Sequence, residues 1–165
     1  MRIALDACSC IDLAGVSLLA SVLQTHELLV PAEVVGEVLQ GEASGAPDAA
    51  VVRGLVEAGT MKPSVSDRTR VQAMATSQAV GRGEAAAILA CLDGNADVLA
   101  TDNRRARRVA RALGVPLVGT PEVIVDLVKR GSVPPEKARE AVAALAARNA
   151  FTQHVLEEAL KEMEP

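Results

Sequence analysis

Apolar residues in this chain fall in short blocks separated by longer stretches where they recur every three or four positions. That is the signature of buried strands alternating with amphipathic helices. Arg2-Ile3-Ala4-Leu5 is an apolar run that ends at Asp6 and reads as a buried strand. A helix is predicted from about Ile11 to Leu23, followed by a strand at Leu28-Leu29-Val30. Pro31 stops that strand and suits the first turn of the next helix. Gly41 to Pro47 reads as a loop, with helices then predicted over Asp48–Ala58 and Ser66–Ala79 and a short strand near Met61 between them. Gly81-Arg82-Gly83 breaks the chain before a helix from Glu84 to Leu92. Val98-Leu99-Ala100-Thr101 is the next strand, closed by Asp102; a helix from Asn103 to Leu113, a strand at Pro116-Leu117-Val118 and further helices complete the chain. Strands separated by helices imply a parallel sheet covered on both faces, hence the α/β class. No internal repeat, low-complexity tract or dividing linker interrupts the 165 residues, which read as one domain.

This order of elements gives the carboxylates a meaning. In open parallel sheets, ligands bind beyond the carboxyl ends of the strands. Asp6 and Asp102 each terminate a strand, so both are expected on the same edge. Taken singly, each could be an ordinary helix N-cap. Glu84 opens the run Ala-Ala-Ala-Ile-Leu-Ala-Cys-Leu, which is apolar on every side and therefore a core helix. A carboxylate in its first turn is favoured by the helix dipole but costly beside other acids unless a cation compensates. On the helix after Pro31, Val34, Val35, Val38 and Leu39 form one apolar sector, with Glu37 at its border, where a side chain can reach a cleft beside the core. Glu33 is better explained as a first-turn acid. Asp97 suits a turn or strand start, and Asp12 reads as a surface helix residue.

Charge sharpens the picture locally. The net charge of −4 and a pI near 5.2 do not by themselves suggest nucleic-acid binding. Yet Arg104, Arg105, Arg107, Arg108 and Arg111 crowd one side of a helix whose other side carries Ala106, Val109, Ala110 and Leu113. This arginine face starts directly after Asp102 and could lead a polyanion to the acids; an exposed helix paired with acidic neighbours is the structural alternative. Tyr and Trp are absent and Phe151 is the sole aromatic, which excludes a grip by rows of stacked bases. Cys8, Cys10 and Cys91 are odd in number and lack a CxxC pair, against a disulfide framework or a structural zinc site. His26 and His154 share no ligand spacing and read as surface or half-buried residues. Asp6 and Asp12 break the apolar run that export would need, and no stretch is long enough for a membrane span, so a cytoplasmic protein is expected.

The motifs together are familiar. Ile3-Ala4-Leu5-Asp6-Ala7-Cys8-Ser9 and Val30-Pro31-Ala32-Glu33-Val34-Val35-Gly36-Glu37 precede Gly83-Glu84-Ala85-Ala86-Ala87-Ile88 and Val98-Leu99-Ala100-Thr101-Asp102-Asn103-Arg104-Arg105-Ala106-Arg107-Arg108. In that order they resemble the PIN-domain nucleases, which include VapC-like toxins of prokaryotic toxin–antitoxin pairs. Gly114 to Thr120 looks like the closing strand and turn, and Lys129 through Phe151 is similar to the helical tail of an uncharacterised PIN subgroup. The resemblance implies a three-layer α/β/α sandwich around a mainly parallel sheet, with a helical C-terminal extension over about residues 121–165. It implies a metal-dependent endoribonuclease using Mg²⁺ or Mn²⁺ at Asp6, Glu84 and Asp102, with Glu37 completing the catalytic set. Arg104, Arg107 and Arg108 would contact RNA, and Ser9 and Asn103 would support the acids from behind. An antitoxin partner and a homodimer are implied in the same way. Cys8 stands where the family usually has Ser or Thr, and Asn103 where the subgroup often has a second Asp.

Two rival classes remain at this level. A PIN-like chain without catalysis would act as an RNA- or partner-binding module. A phosphatase of the haloacid-dehalogenase type would need an Asp two residues after the nucleophile, where Cys8 stands. A dinucleotide site is weaker still, since Gly81-Arg82-Gly83 lacks the later glycine.

Overall fold

The computed structural model describes residues 1–41, 46–148 and 151–163. Five strands, β1 (Arg2–Leu5), β2 (Glu27–Pro31), β3 (Pro63–Ser64), β4 (Val98–Ala100) and β5 (Leu117–Val118), form one sheet. Their order is β3-β2-β1-β4-β5 and every neighbouring pair is parallel. Among the described residues ten helices accompany them: α1 (Ala7–Gly15), α2 (Leu19–Thr25), α3 (Ala32–Gln40), α4 (Pro47–Glu57), α5 (Arg68–Gln78), α6 (Arg82–Leu92), α7 (Arg104–Ala112), α8 (Thr120–Lys129), α9 (Pro135–Ala147) and α10 (Gln153–Glu162).

The alternation of side chains along the central strands separates two cores. Ile3 and Leu5 of β1, with Val98 and Ala100 of β4, face a layer built from α1–α4 and α8–α10. Ala4 and Leu99, pointing the other way, meet α5, α6 and α7. Strands buried on both faces must be apolar at every position, which is why β1 and β4 carry no polar–apolar alternation. The three-layer α/β/α sandwich expected from the resemblance is therefore the observed architecture.

Chain order and sheet order together locate a crevice. From β1 the chain moves outward through β2 to β3 with its connecting helices α1–α4 on one face. It then returns to the other side of β1 and runs to β5 with α7 on the opposite face. The direction reverses between β1 and β4, and at such a switch point the loops leaving the carboxyl ends diverge. Leu5 pairs with Ala100 at that place, so Asp6 and Asp102 leave the sheet side by side.

Four expectations are corrected. The helix predicted over Ile11–Leu23 is two helices, bent by 110°. The first begins at Ala7 because Asp6 caps it, accepting from Ser9 N at 2.8 Å, and the break falls at Ser17 with φ 59°. The bend lets Leu13, Leu18, Leu19 and Val22 all reach the same core. The strand near Met61 lies two residues later, at Pro63–Ser64, since Met61 itself is a buried core residue. Pro63 is tolerated there because β3 is an edge strand. His26 is fully enclosed, with Nε2 2.8 Å from Asp126 Oδ2. Asp12 is half-buried rather than a surface residue, for reasons given below.

Residues 42–45 of the expected Gly41–Pro47 loop lie outside the described residues. The segment expected as a tail contains α8, whose Val123, Ile124, Val125 and Leu127 are buried in the same core as α1 and α2. Among the described residues no single helix is long and apolar enough to cross a membrane.

Candidate active site at the carboxyl edge of the sheet

Each of the four expected acids is fixed by backbone or hydroxyl donors. Asp6 is 1% exposed; one carboxylate oxygen accepts from Ser9 N, the other from the Thr101 hydroxyl. Asp102 accepts from Thr120 N at 3.0 Å and from Thr120 Oγ1 at 2.5 Å. Glu84 reaches back to cap its own helix, its Oε2 accepting from Gly81 N at 2.8 Å. Glu37 crosses from α3 to the same helix start and accepts from Gly83 N at 2.7 Å. The N-terminus of α6 thus holds two carboxylates, as its unpaired N–H groups and dipole favour.

Two glycines record how close these side chains come. A Cβ on Gly83 would lie 2.6 Å from Glu37 Oε2. A Cβ on Gly119 would lie 2.7 Å from Asp102 Oδ1 and 2.5 Å from Glu122 Oε2, so a fifth acid, Glu122, stands beside Asp102.

The electrostatics link the acids into one region. Burial raises the Asp6 carboxyl to about 6, against the pull of its Thr101 and Ser9 donors, and Asp102 adds a further upward push. Asp102 is itself raised, first by burial, with Thr120 acting to hold it down and Glu122 to raise it. Asp12 rises to about 6 through burial and then Asp102. Cys8 lies at the surface among them; its thiol is pushed to about 12, first by desolvation and then by Asp6, Glu84, Asp12 and Asp102. Among the described residues none of Asp6, Glu37, Glu84 or Asp102 makes an ion pair with Lys or Arg. The acids are joined in sequence around the edge: Asp12 and Glu122 beside Asp102, Asp102 beside Asp6, and Glu84 beside Glu37 at Gly81.

Donor chemistry fits a hard divalent cation. The side chains offer carboxylate oxygens, Arg107 offsets only part of the charge at Asp102, and the buried Ser9 hydroxyl stands beside Asp6. Spacing is looser: among the described residues no group of three or more His, Cys, Asp and Glu converges closely enough to enclose an ion.

Two clefts flank the acids. One, of about 630 Å³, is lined by Glu33, Glu37, Arg68 and Arg82. The other, of about 360 Å³, lies beyond Asp102 and is lined by Arg104, Arg107, Arg111, Glu122 and Phe151. The arginine face of α7 is divided by this geometry. Arg107 donates to Thr101 O at 2.8 Å and is held beside Asp102. Arg105 turns away to donate to Ala79 O at the end of α5. Arg108 is exposed outside the cleft, and Arg111 fills the third position. Asn103 caps α7, accepting from Arg105 N at 2.8 Å and Ala106 N at 3.2 Å. Asp97 is at the opposite edge, binding the Arg2 backbone and guanidinium at the strand starts.

Sequence reasoning missed Glu122, Arg68, Arg82, Thr101 and Thr120. The two threonines follow a readable rule, since Thr101 leaves the end of β4 and Thr120 opens the helix that follows β5. Glu122 is the capping acid of α8, accepting from Gly119 N at 3.0 Å, a local signal for a helix start but not for a site, and the two arginines carry no local signal.

No curated protein and no solved structure matches the chain. A family model described as PIN domain matches residues 2–165. PIN domains are generally nucleases that bind nucleic-acid substrates and typically use divalent metals. With its sheet order, acidic carboxyl edge and nearly full-length match, this chain belongs to the DUF3368 family of PIN domains.

Proposed function

We propose that this chain is a divalent-metal-dependent endoribonuclease, using Mg²⁺ or Mn²⁺, with Asp6, Glu37, Glu84 and Asp102 as its catalytic acids. The observation that carries this reading is the run of carboxylates at the switch point, none ion-paired with Lys or Arg among the described residues, with Asp6 buried and raised to about 6. A protein does not ordinarily bury such charge without something to balance it.

Asp6 and Asp102 are the direct ligands in this reading, and Glu37 and Glu84 act through water or orient the nucleophile. A bound divalent ion would supply charge neutralisation and activation of a water for in-line attack on phosphorus. The chain's own part is orientation. Ser9 N and Thr101 fix Asp6, Thr120 fixes Asp102, and the α6 N-terminus fixes both glutamates. Arg107, tethered to Thr101 O, can hold a phosphate oxygen beside Asp102. Arginine-lined clefts on both sides of the acids suit a strand that passes across them.

The test is RNA cleavage by Asp6→Asn and Asp102→Asn, each checked for folding by circular dichroism. Loss of rate on the order of 100-fold or more is expected; folded variants that cleave like the wild type overturn the assignment. A second reading, an RNA-binding module without catalysis, is favoured by the loose spacing of the acids. Mn²⁺ titration separates the two, since a site that takes the ion raises the melting temperature with concentration. A toxin role, with an antitoxin partner and a homodimer, is part of this proposal and rests on the resemblance to VapC-like toxins alone. A small antitoxin in the neighbouring reading frame supports that role.

A further inference from the structure

The 360 Å³ cleft shares Asp102 and Glu122 with the acidic edge and adds to them three arginines and an apolar wall. Arg104, Arg107 and Arg111 occupy one face of α7 at spacings of three and four residues and line it together. Phe151, just before α10, and Val155, in its first turn, form its apolar wall. Phe151 is the sole aromatic of 165 residues. The core of the described residues is otherwise filled by Leu, Ile, Val, Met, Ala and Cys. Phe151 is only half-buried, one side against the core and the other lining a cleft of arginines. The volume is at the small end of cavities that hold a small ligand.

Resting on the nuclease reading above, we propose that this cleft seats one nucleotide of single-stranded RNA next to the scissile position, with Phe151 stacking on its base and Arg104 and Arg111 holding its flanking phosphates. An aromatic face accepts any base without hydrogen-bond readout, and guanidinium forks match phosphate oxygens. Arg107, tethered at Thr101 O, fixes the end of this seat nearest Asp102. A duplex cannot offer an unstacked base to a single wall, so the cleft selects single-stranded substrate.

The experiment measures binding apart from cleavage. Short RNA strands carrying 2-aminopurine are titrated with the full chain in EDTA, followed by anisotropy and by quenching of the 2-aminopurine. Wild type is expected to quench one position along the strand strongly. Phe151→Leu, which keeps an apolar side chain against the core, should lose that quenching and weaken binding roughly 5- to 150-fold. Its dependence on salt should stay the same. Arg111→Gln should instead reduce the slope of log affinity against log salt by about 0.7. Absence of quenching with wild type overturns the proposal, as does a folded Phe151→Leu variant that binds like wild type. Equal affinity for inorganic polyphosphate of the same charge overturns it too, since that ligand has no base. Position-specific quenching without any metal-dependent cleavage leaves the nucleotide seat standing and removes the nuclease reading. Cleavage without quenching does the reverse.

Discussion

Replacing Asp6 by Asn should stabilise the metal-free protein at neutral pH, although the side chain is buried and doubly hydrogen-bonded. Asp6 rises from 3.8 to about 6, and that rise is what remains after its donors have been counted. It corresponds to about 3 kcal/mol against the charged form, at about 1.4 kcal/mol for each pH unit. Because the folded value lies above the unfolded one, the native chain holds the extra proton between about pH 4 and 6. Stability from this group is therefore present at low pH and lost as pH rises through about 6. Asn keeps the shape and can accept from Ser9 N, while the Thr101 hydroxyl can accept as readily as donate. In EDTA at pH 7.5, Asp6→Asn should gain up to about 3 kcal/mol. That moves a urea midpoint upward by about 1 to 2 M. The advantage should close by pH 4. The assay is urea unfolding followed by circular dichroism from pH 4 to 8, comparing the two chains so that groups not coupled to Asp6, Asp12 among them, cancel. A variant less stable than wild type, with a constant difference across pH, refutes the account of buried charge.

Other expectations follow from the same geometry. Gly83→Ala places a Cβ 2.6 Å from Glu37 Oε2 and must displace that side chain. Better helix propensity, about 1 kcal/mol, offsets part of the lost charged hydrogen bond. Stability measured by urea should change little while RNA cleavage falls about 10-fold. Asn103→Ala removes the α7 cap and should cost about 1 kcal/mol, read as a melting temperature lower by about 2–4 °C. Asn103→Asp keeps the capping oxygen and should melt like wild type.

Much of this protein was legible before its structure. Strand ends that stop at Asp6 and Asp102 are local facts of apolar periodicity. Once the sheet is known to be parallel, both acids must share an edge. The apolar run after Glu84 marked a core helix in the same direct way. Other features had no local signature. The break at Ser17 arises because four apolar residues must reach one core, which one straight helix cannot achieve. Asp12 looked solvated because its helix was placed too late in the chain; starting that helix at Ala7 turns it toward Asp102. The five arginines of α7 were visible as a block. Which of them face Asp102 was decided by backbone anchors, Ala79 O from the distant end of α5 for Arg105 and Thr101 O from the neighbouring strand end for Arg107. Glu122 caps α8 locally, but it meets Asp102 because Gly119 has no side chain to keep the two apart. Periodicity and chain-local chemistry thus determined the elements and the edge on which the acids stand. Long-range packing alone decided their neighbours, because burial and charge at a site depend on atoms brought together from distant parts of the chain.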